Sequence, residues 1–79
     1  MARVVGVNPR KGLVAVQTDT GITVFELLGG YEVSVGDSIR GDFETHGGET
    51  YFNITTGDEM DVFVQGIHCS PDVARRMMA

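Results

Sequence analysis

The sequence predicts an all-β protein, a small antiparallel barrel with a short helix after its last strand. Apolar residues occur in short clusters rich in Val and Ile, Gly accounts for 11 of the 79 residues, and Trp is absent. This composition is typical of short strands joined by tight turns. A chain of this length has room for one domain with a thin core, so we expect residues 1–79 to form a single unit.

Six apolar segments separated by turn residues predict six strands. We expect these strands at residues 3–7, 13–18, 22–28, 38–44, 49–55 and 61–67. Ser70-Pro71-Asp72 then has the residue types of a helix start, with an N-cap, a proline at the first position and an acid in the first turn. A helix of about two turns is marginal in water, so we expect it to dock on the barrel or on a partner.

The second and third strands are predicted to form a hairpin with two apolar faces. Asp19-Thr20-Gly21 suits a three-residue loop, which would place Val16 opposite Val24 and Ala15 opposite Phe25. The second face of this hairpin would then carry Leu13, Ala15, Phe25 and Leu27. Because a half-solvated hairpin has one polar face, we expect this second face to be covered, either by the terminal helix through Val73, Met77 or Met78 or by another chain.

A second hairpin is predicted to turn at residues 45–48. The strand before it alternates cleanly, and the strand after it would place Phe52 and Ile54 inward, with Phe52 opposite Gly41. Arg40, Tyr51 and Asn53 would then share the outer face, as a polar ladder or as groups that stack and pair with a base.

Residues 4–55 resemble a cold-shock domain. The segment from Val4 to Val16 matches the family pattern Val-Lys-Trp-Phe-Asn-x-x-Lys-Gly-Phe-Gly-Phe-Ile at Val4, Asn8, Lys11 and Gly12. Three further segments are similar to family motifs, namely Val24-Phe25-Glu26-Leu27, Gly36-Asp37-Ser38-Ile39 and Phe52-Asn53-Ile54. The resemblance implies an OB-type barrel, to which residues 56–79 would add an extra strand and a short helix.

Cold-shock domains bind single strands by stacking bases on aromatic rings of the first two motifs, so the resemblance also implies such a surface. Here Gly6, Leu13, Ala15 and Leu27 occupy four of the aromatic positions, and Phe25 is the one ring that remains. Contiguous aliphatic residues are normally buried against protein. We therefore expect a non-enzymatic OB-type binding module that makes protein contacts. The alternative is weak binding of single-stranded RNA or DNA through Lys11, Phe25, Arg40, Tyr51 and Asn53.

The charge distribution argues mildly against nucleic acid. The net charge is −5, and no Lys or Arg interrupts the chain from Asp42 to Asp61. An acidic domain is repelled by phosphate backbones unless its few cations lie on one face. The acidic run is better explained as a solvated face than as a cation site or a pair of catalytic carboxylates.

The sequence suggests no catalytic residue, metal site or cofactor. His68 and Cys69 are neighbours on an extended strand, where successive side chains point to opposite sides. Adding His46 gives no zinc-like spacing. The Gly pairs at residues 29–30 and 47–48 do not open helices, so neither predicts a phosphate loop.

The sequence predicts a cytoplasmic protein without membrane association. No apolar run approaches the ~20 residues needed to span a bilayer, and the first residues lack the layout of a secretory signal. The single Cys69 cannot form an internal disulfide. As partners we expect a protein or a second copy of the chain, with single-stranded nucleic acid as the weaker alternative.

Overall fold

The computed structural model describes residues 1–79 as a closed, six-stranded antiparallel barrel followed by one helix. Its elements are β1 (Ala2–Asn8), β2 (Leu13–Thr18), β3 (Gly21–Leu27), β4 (Ser38–Arg40), β5 (Gly47–Asn53), β6 (Asp58–Cys69) and α1 (Pro71–Met78). The strand order around the barrel is β1-β2-β3-β6-β5-β4. The predicted all-β barrel with a short C-terminal helix is thus confirmed, and the architecture is compatible with an OB-like barrel.

Strand β6 lies between β3 and β5, pairing with β5 through residues 58–64 and with β3 through residues 62–69. The sequence prediction set residues 56–79 apart as an addition to a barrel of residues 4–55. In the structure β3 and β5 do not pair with each other, because β6 lies between them. Strand β6 is therefore part of the closed barrel and not an addition to it.

The β2–β3 hairpin has a two-residue turn, so the predicted three-residue loop is wrong. Thr18 pairs with Gly21, and the Thr18 hydroxyl stabilises the turn by donating to the Gly21 carbonyl oxygen at 2.9 Å. Val14 consequently lies opposite Phe25, and Ala15 lies opposite Val24. A slip of one residue exchanges the faces of a strand. In the observed register, therefore, Phe25 faces the barrel interior, where Leu27 also packs.

The β4–β5 pairing also differs from the predicted register by one residue. Arg40 lies opposite Phe52, and the connection occupies residues 41–46 where a turn at 45–48 was predicted. Tyr51 and Asn53 therefore point inward, whereas Phe52 is half-buried and Ile54 is exposed. An aromatic ring does lie over Gly41, but it belongs to Tyr51.

The barrel interior is apolar apart from a few satisfied polar groups. It contains Ala2, Val4, Val14, Val16, Phe25, Ile39, Tyr51, Met60, Val62 and Val64. The Tyr51 ring packs edge-on against Phe25 and Phe43, with ring centroids 5.0 and 4.9 Å apart. No helix of the structure has the length and apolar character needed to cross a membrane.

Candidate protein-contact face

The outer surface of β1 is shaped by a bulge. Val4 pairs with Val16 and Gly6 pairs with Ala15, which leaves Val5 as the extra residue on β1. After the bulge, Gly6 is on the outer side of the barrel beside Ala15, and Val7 packs against the interior. Because Gly6 has no side chain, the outer surface is recessed at this point.

Helix α1 covers a second apolar cluster on the outside of the barrel. The α1-covered face consists of Leu13, Ala15, Ile22 and Val24, which pack with Ala74 of the helix. Met77 and Met78 extend this cover, whereas Val73 remains 37% exposed. The prediction of a covered face is correct for Leu13 and Ala15. It is wrong for Phe25 and Leu27, which pack on the barrel interior. In the observed register Ile22 and Val24 are the residues of β3 that lie on the covered face.

Hydrogen bonds hold α1 at both ends. The Ser70 hydroxyl caps the helix by accepting from the Val73 N–H at 3.3 Å. At the other end the Asn8 carboxamide donates to the Met78 carbonyl oxygen at 2.7 Å, and the Lys11 ammonium donates to Ala79 O. These bonds tie the end of β1 and the loop after it to the C-terminal end of α1, and they satisfy carbonyl groups that a helix terminus leaves unpaired.

Gly66 lets α1 pack closely on β6. A Cβ atom at Gly66 would lie 2.9 Å from both the Cys69 sulfur and the Met77 methyl carbon. The Sγ atom of Cys69 and the Sδ atom of Met77 are 3.9 Å apart. Cys69 is thus a packing residue beneath Met77.

An open apolar groove of about 300 Å³ remains between α1 and β1. It is lined by Val5, Gly6, Val7, Ala15, Ile22, Pro71, Ala74, Arg75 and Met78. Val5 is 47% exposed, and Arg75 is the one charged residue of the lining. No aromatic ring lines this groove, which we call the α1–β1 groove.

Three of the five predicted nucleic-acid contacts are buried in the barrel. Phe25, Tyr51 and Asn53 are each 0% exposed, so none can meet a base. The Tyr51 hydroxyl donates to the Asp42 carbonyl oxygen at 2.8 Å, and the Asn53 carboxamide donates to the Asp37 carboxylate at 3.0 Å. The predicted outer cluster of Arg40, Tyr51 and Asn53 is therefore wrong.

The electrostatic setting of Tyr51 keeps its hydroxyl neutral. Burial raises the pKa of Tyr51 well above its usual range, and the nearby Glu49 and Asp42 carboxylates raise it further. A neutral phenol is the form that can donate the hydrogen bond to Asp42.

Lys11 and Arg40 remain exposed but lie on different elements. Lys11 is in the loop after β1 and is engaged by Ala79, whereas the Arg40 guanidinium lies 5.1 Å from the ring centroid of Phe52. The structure does not bring the five predicted residues together.

Two outward-facing rings on β5 and β6 were missed as surface features. Phe63 is 47% exposed and lies opposite Gly48 on one side and Glu26 on the other. Phe52 is half-buried under Arg40. The sequence pattern could have predicted the outward position of Phe63. If Met60, Val62 and Val64 point inward, the residue between the two valines must point outward.

His68 and Cys69 have different surroundings, but His68 has a φ of 53° and so lacks the extended conformation that the sequence predicted. The His68 imidazole lies 3.0 Å from the Glu44 carboxylate, and Cys69 packs beneath Met77. His46 is exposed in the loop before β5. No three His, Cys, Asp or Glu side chains are arranged to hold a metal ion.

The fold and the candidate site together define a small antiparallel barrel with one helix-covered outer face. In comparison with known proteins, no family model, curated protein or solved structure matches the chain.

Proposed function

We propose that the protein is a non-enzymatic binding module with an OB-like barrel, whose outer face on β1, β2 and β3 makes protein contacts. The observation that carries this proposal is the cover on that face. Ala74 of α1 is 3% exposed on a cluster of aliphatic side chains, and the α1–β1 groove continues the apolar surface to solvent beside the helix. Helix α1 is the contact that this face makes within the chain. The α1–β1 groove beside the helix is where we propose that a second protein binds.

The resemblance to cold-shock domains supports the same assignment for β1 and β2. Gly6, Leu13 and Ala15 stand where that family has aromatic rings, and all three lie on the outer side against α1 or the groove. The resemblance does not extend to β3, because Phe25 faces the interior. We propose that a cold-shock-like stacking surface is replaced here by an aliphatic one.

Weak binding of single-stranded RNA or DNA is the lesser alternative. Lys11 and Arg40 are the residues of its proposed site that remain exposed, and stacking on Phe25 or Tyr51 is blocked by burial. Charge without stacking gives weak, strongly salt-dependent affinity.

A titration followed by amide NMR of the full chain tests the proposal. N-acetyl-phenylalanine amide and N-acetyl-leucine amide serve as probes of a partner's apolar side chain. We expect shifts concentrated at Val5, Gly6, Ile22 and Met78. A labelled oligothymidylate, measured by fluorescence anisotropy at low and moderate salt, serves as the nucleic-acid probe.

Two glycine variants make the test specific. A Cβ at Gly6 would meet Met78 and Ala15 at 3.8 and 3.9 Å, an ordinary contact distance, so we expect Gly6→Val to place its side chain in the groove, and thermal unfolding checks that the variant stays folded. Gly48→Val on β5 is the matched control, because nothing lies within 4 Å of a Cβ there. The shifts should disappear in Gly6→Val and persist in Gly48→Val. Unmoved groove amides together with submicromolar oligothymidylate binding at physiological salt would overturn the proposal.

A further inference from the structure

Most cations of this acidic chain lie on the two elements that flank the α1–β1 groove or in the loop after β1. Five of the six Lys and Arg residues lie on β1, in the loop after it, or on α1, namely Arg3, Arg10, Lys11, Arg75 and Arg76. The sixth, Arg40, is on β4 over the Phe52 ring. Arg75 lines the groove and Lys11 bonds to Ala79, the residue after Met78 of the lining, so the groove has cations beside it although the net charge is −5.

The acidic residues of β5 and β6 lie outside the lining of the groove. Strands β5 and β6 carry Glu49, Asp58, Glu59 and Asp61 and no Lys or Arg. An anionic partner is repelled by these strands and attracted by the cations beside the groove, so this charge distribution favours the approach of an anion at the groove.

Arg75 at the groove keeps capacity for a partner's carboxylate. Its guanidinium bonds Asp72 at 3.0 Å, but both side chains are largely exposed, at 74% and 86%. Such an exposed pair is weak because water screens it. The guanidinium has five N–H donors, and one of its nitrogens makes the bond to Asp72.

The groove itself fits an apolar side chain. Its volume of about 300 Å³ is at the lower end of the range of small-molecule sites, roughly 300–1,000 Å³, and suits one or two side chains. The walls from Val5, Ile22 and Met78 are aliphatic, and a base would find no ring to stack on.

We infer that the α1–β1 groove receives a bulky apolar side chain from an acidic segment of a partner protein. This inference rests on the proposed function and adds to it the charge of the partner. The apolar side chain enters between α1 and β1, and carboxylates flanking it pair with Arg75 and the neighbouring cations. A nucleic acid would satisfy the charge but leave the aliphatic groove unfilled.

The test uses three short synthetic peptides with the same central Phe. In the first the flanking residues are Asp and Glu, in the second they are Ser, and in the third they are Lys. Each is titrated into the full chain and followed by amide NMR at low and moderate salt. We expect the acidic peptide to bind about tenfold or more tightly than the basic one, with the Ser peptide between them, and the difference to shrink as salt is added.

Variants at charged positions assign the preference to the groove side. Arg75→Glu should reduce the ratio of acidic to basic peptide affinity at least several-fold. Arg40→Glu, which makes the same charge change at a cation outside the groove lining, is the matched control and should leave that ratio near its wild-type value. A version of the acidic peptide with Ser in place of Phe should lose the shifts at Val5 and Gly6.

The outcomes separate this inference from the proposed function. If the Ser or Lys peptide binds the groove as tightly as the acidic one, the charge inference is overturned and the groove remains a protein-contact site. If no Phe peptide shifts the groove amides, the proposed function fails as well. Oligothymidylate shifting the same amides at lower concentration than the acidic peptide would overturn the inference in favour of nucleic acid.

Discussion

Gly41 lies against the aromatic ring of Tyr51 so closely that a Cβ atom at residue 41 would overlap the ring. The ring is fixed on its other sides. Phe25 and Phe43 pack edge-on against it, and its hydroxyl donates to the Asp42 carbonyl oxygen. Residue 41, the first after β4, therefore has room for glycine only.

Gly41→Ala should destabilise the barrel by about 1–3 kcal/mol, because either the ring or the backbone after β4 must shift. Thermal unfolding followed by circular dichroism measures the change in the free energy of unfolding. Gly48→Ala is the control, since nothing lies within 4 Å of a Cβ at that position. Equal melting temperatures for the two variants would contradict the overlap.

The neutral Tyr51 hydroxyl should make the protein sensitive to alkali. The pKa of Tyr51 is raised in the folded state by burial and by the Glu49 and Asp42 carboxylates, whereas the unfolded chain has a tyrosine pKa of about 10. Above that pH the unfolded state loses a proton that the folded state retains, so the free energy of unfolding falls as pH rises. Below about pH 10 both states keep the proton and this contribution is constant.

Tyr51→Phe should separate the two roles of the hydroxyl. At neutral pH the variant should be less stable by about 1 kcal/mol, because the hydrogen bond to Asp42 is lost. Above pH 10 its stability should decline less steeply than that of the wild type. Urea unfolding across this range measures both effects, and parallel pH profiles would argue against a raised pKa for Tyr51.

The inward position of Tyr51 could not be read from hydropathy. On β5 the pattern favoured Phe52 and Ile54 as core residues, because Tyr51 and Asn53 carry polar atoms. The structure buries the polar pair since each finds a specific partner, Tyr51 in Asp42 and Asn53 in Asp37. Those partners lie in loops whose course depends on the finished barrel.

The elements themselves were predictable, whereas the faces of β3 were not. Turn residues and the helix start at Ser70 predicted six strands and α1 in the observed order, although β4 ends at Arg40 and not at residue 44, and β6 is longer than predicted. Strand β3 is apolar on both sides, so its pattern did not discriminate a two-residue turn from a three-residue turn. That one residue decided whether Phe25 belonged to the surface or to the core.

Asn53 and Asp37 should behave as one energetic unit. The Asp37 carboxylate accepts from Asn53 at 3.0 Å and from the Ser34 N–H at 2.9 Å, while Asn53 Oδ1 accepts from the Thr55 and Thr56 N–H groups. Asn53→Ala should cost about 1–3 kcal/mol, because buried groups on both sides lose a partner.

A double-mutant cycle with Asp37→Ala checks this coupling. The double variant should be more stable than the sum of the single changes predicts, with an interaction energy of about 0.5–3 kcal/mol. Thr50→Ala, an exposed position on β5, is the control that should add independently. Strict additivity of the Asn53 and Asp37 changes would refute a shared network.

The packing of α1 on the barrel can be tested by substitutions that keep the helix in the chain. Ala74→Asp would place an unpaired carboxylate on the α1-covered face and should lower stability by on the order of 3 kcal/mol. It should also increase binding of a dye that recognises exposed apolar surface. Val73→Asp, one residue earlier and 37% exposed, should change stability little. Similar melting curves for the two variants would show that Ala74 is not at a buried contact.

The position of β6 between β3 and β5 also sets the order in which the protein can fold. The meander of β1, β2 and β3 can form from residues close in sequence, but β3 and β5 each keep an open edge until residues 58–69 arrive. Closing the barrel joins segments far apart along the chain, which slows folding relative to local hairpins. During that interval two unpaired strand edges are exposed to other nascent chains, a period in which association competes with closure.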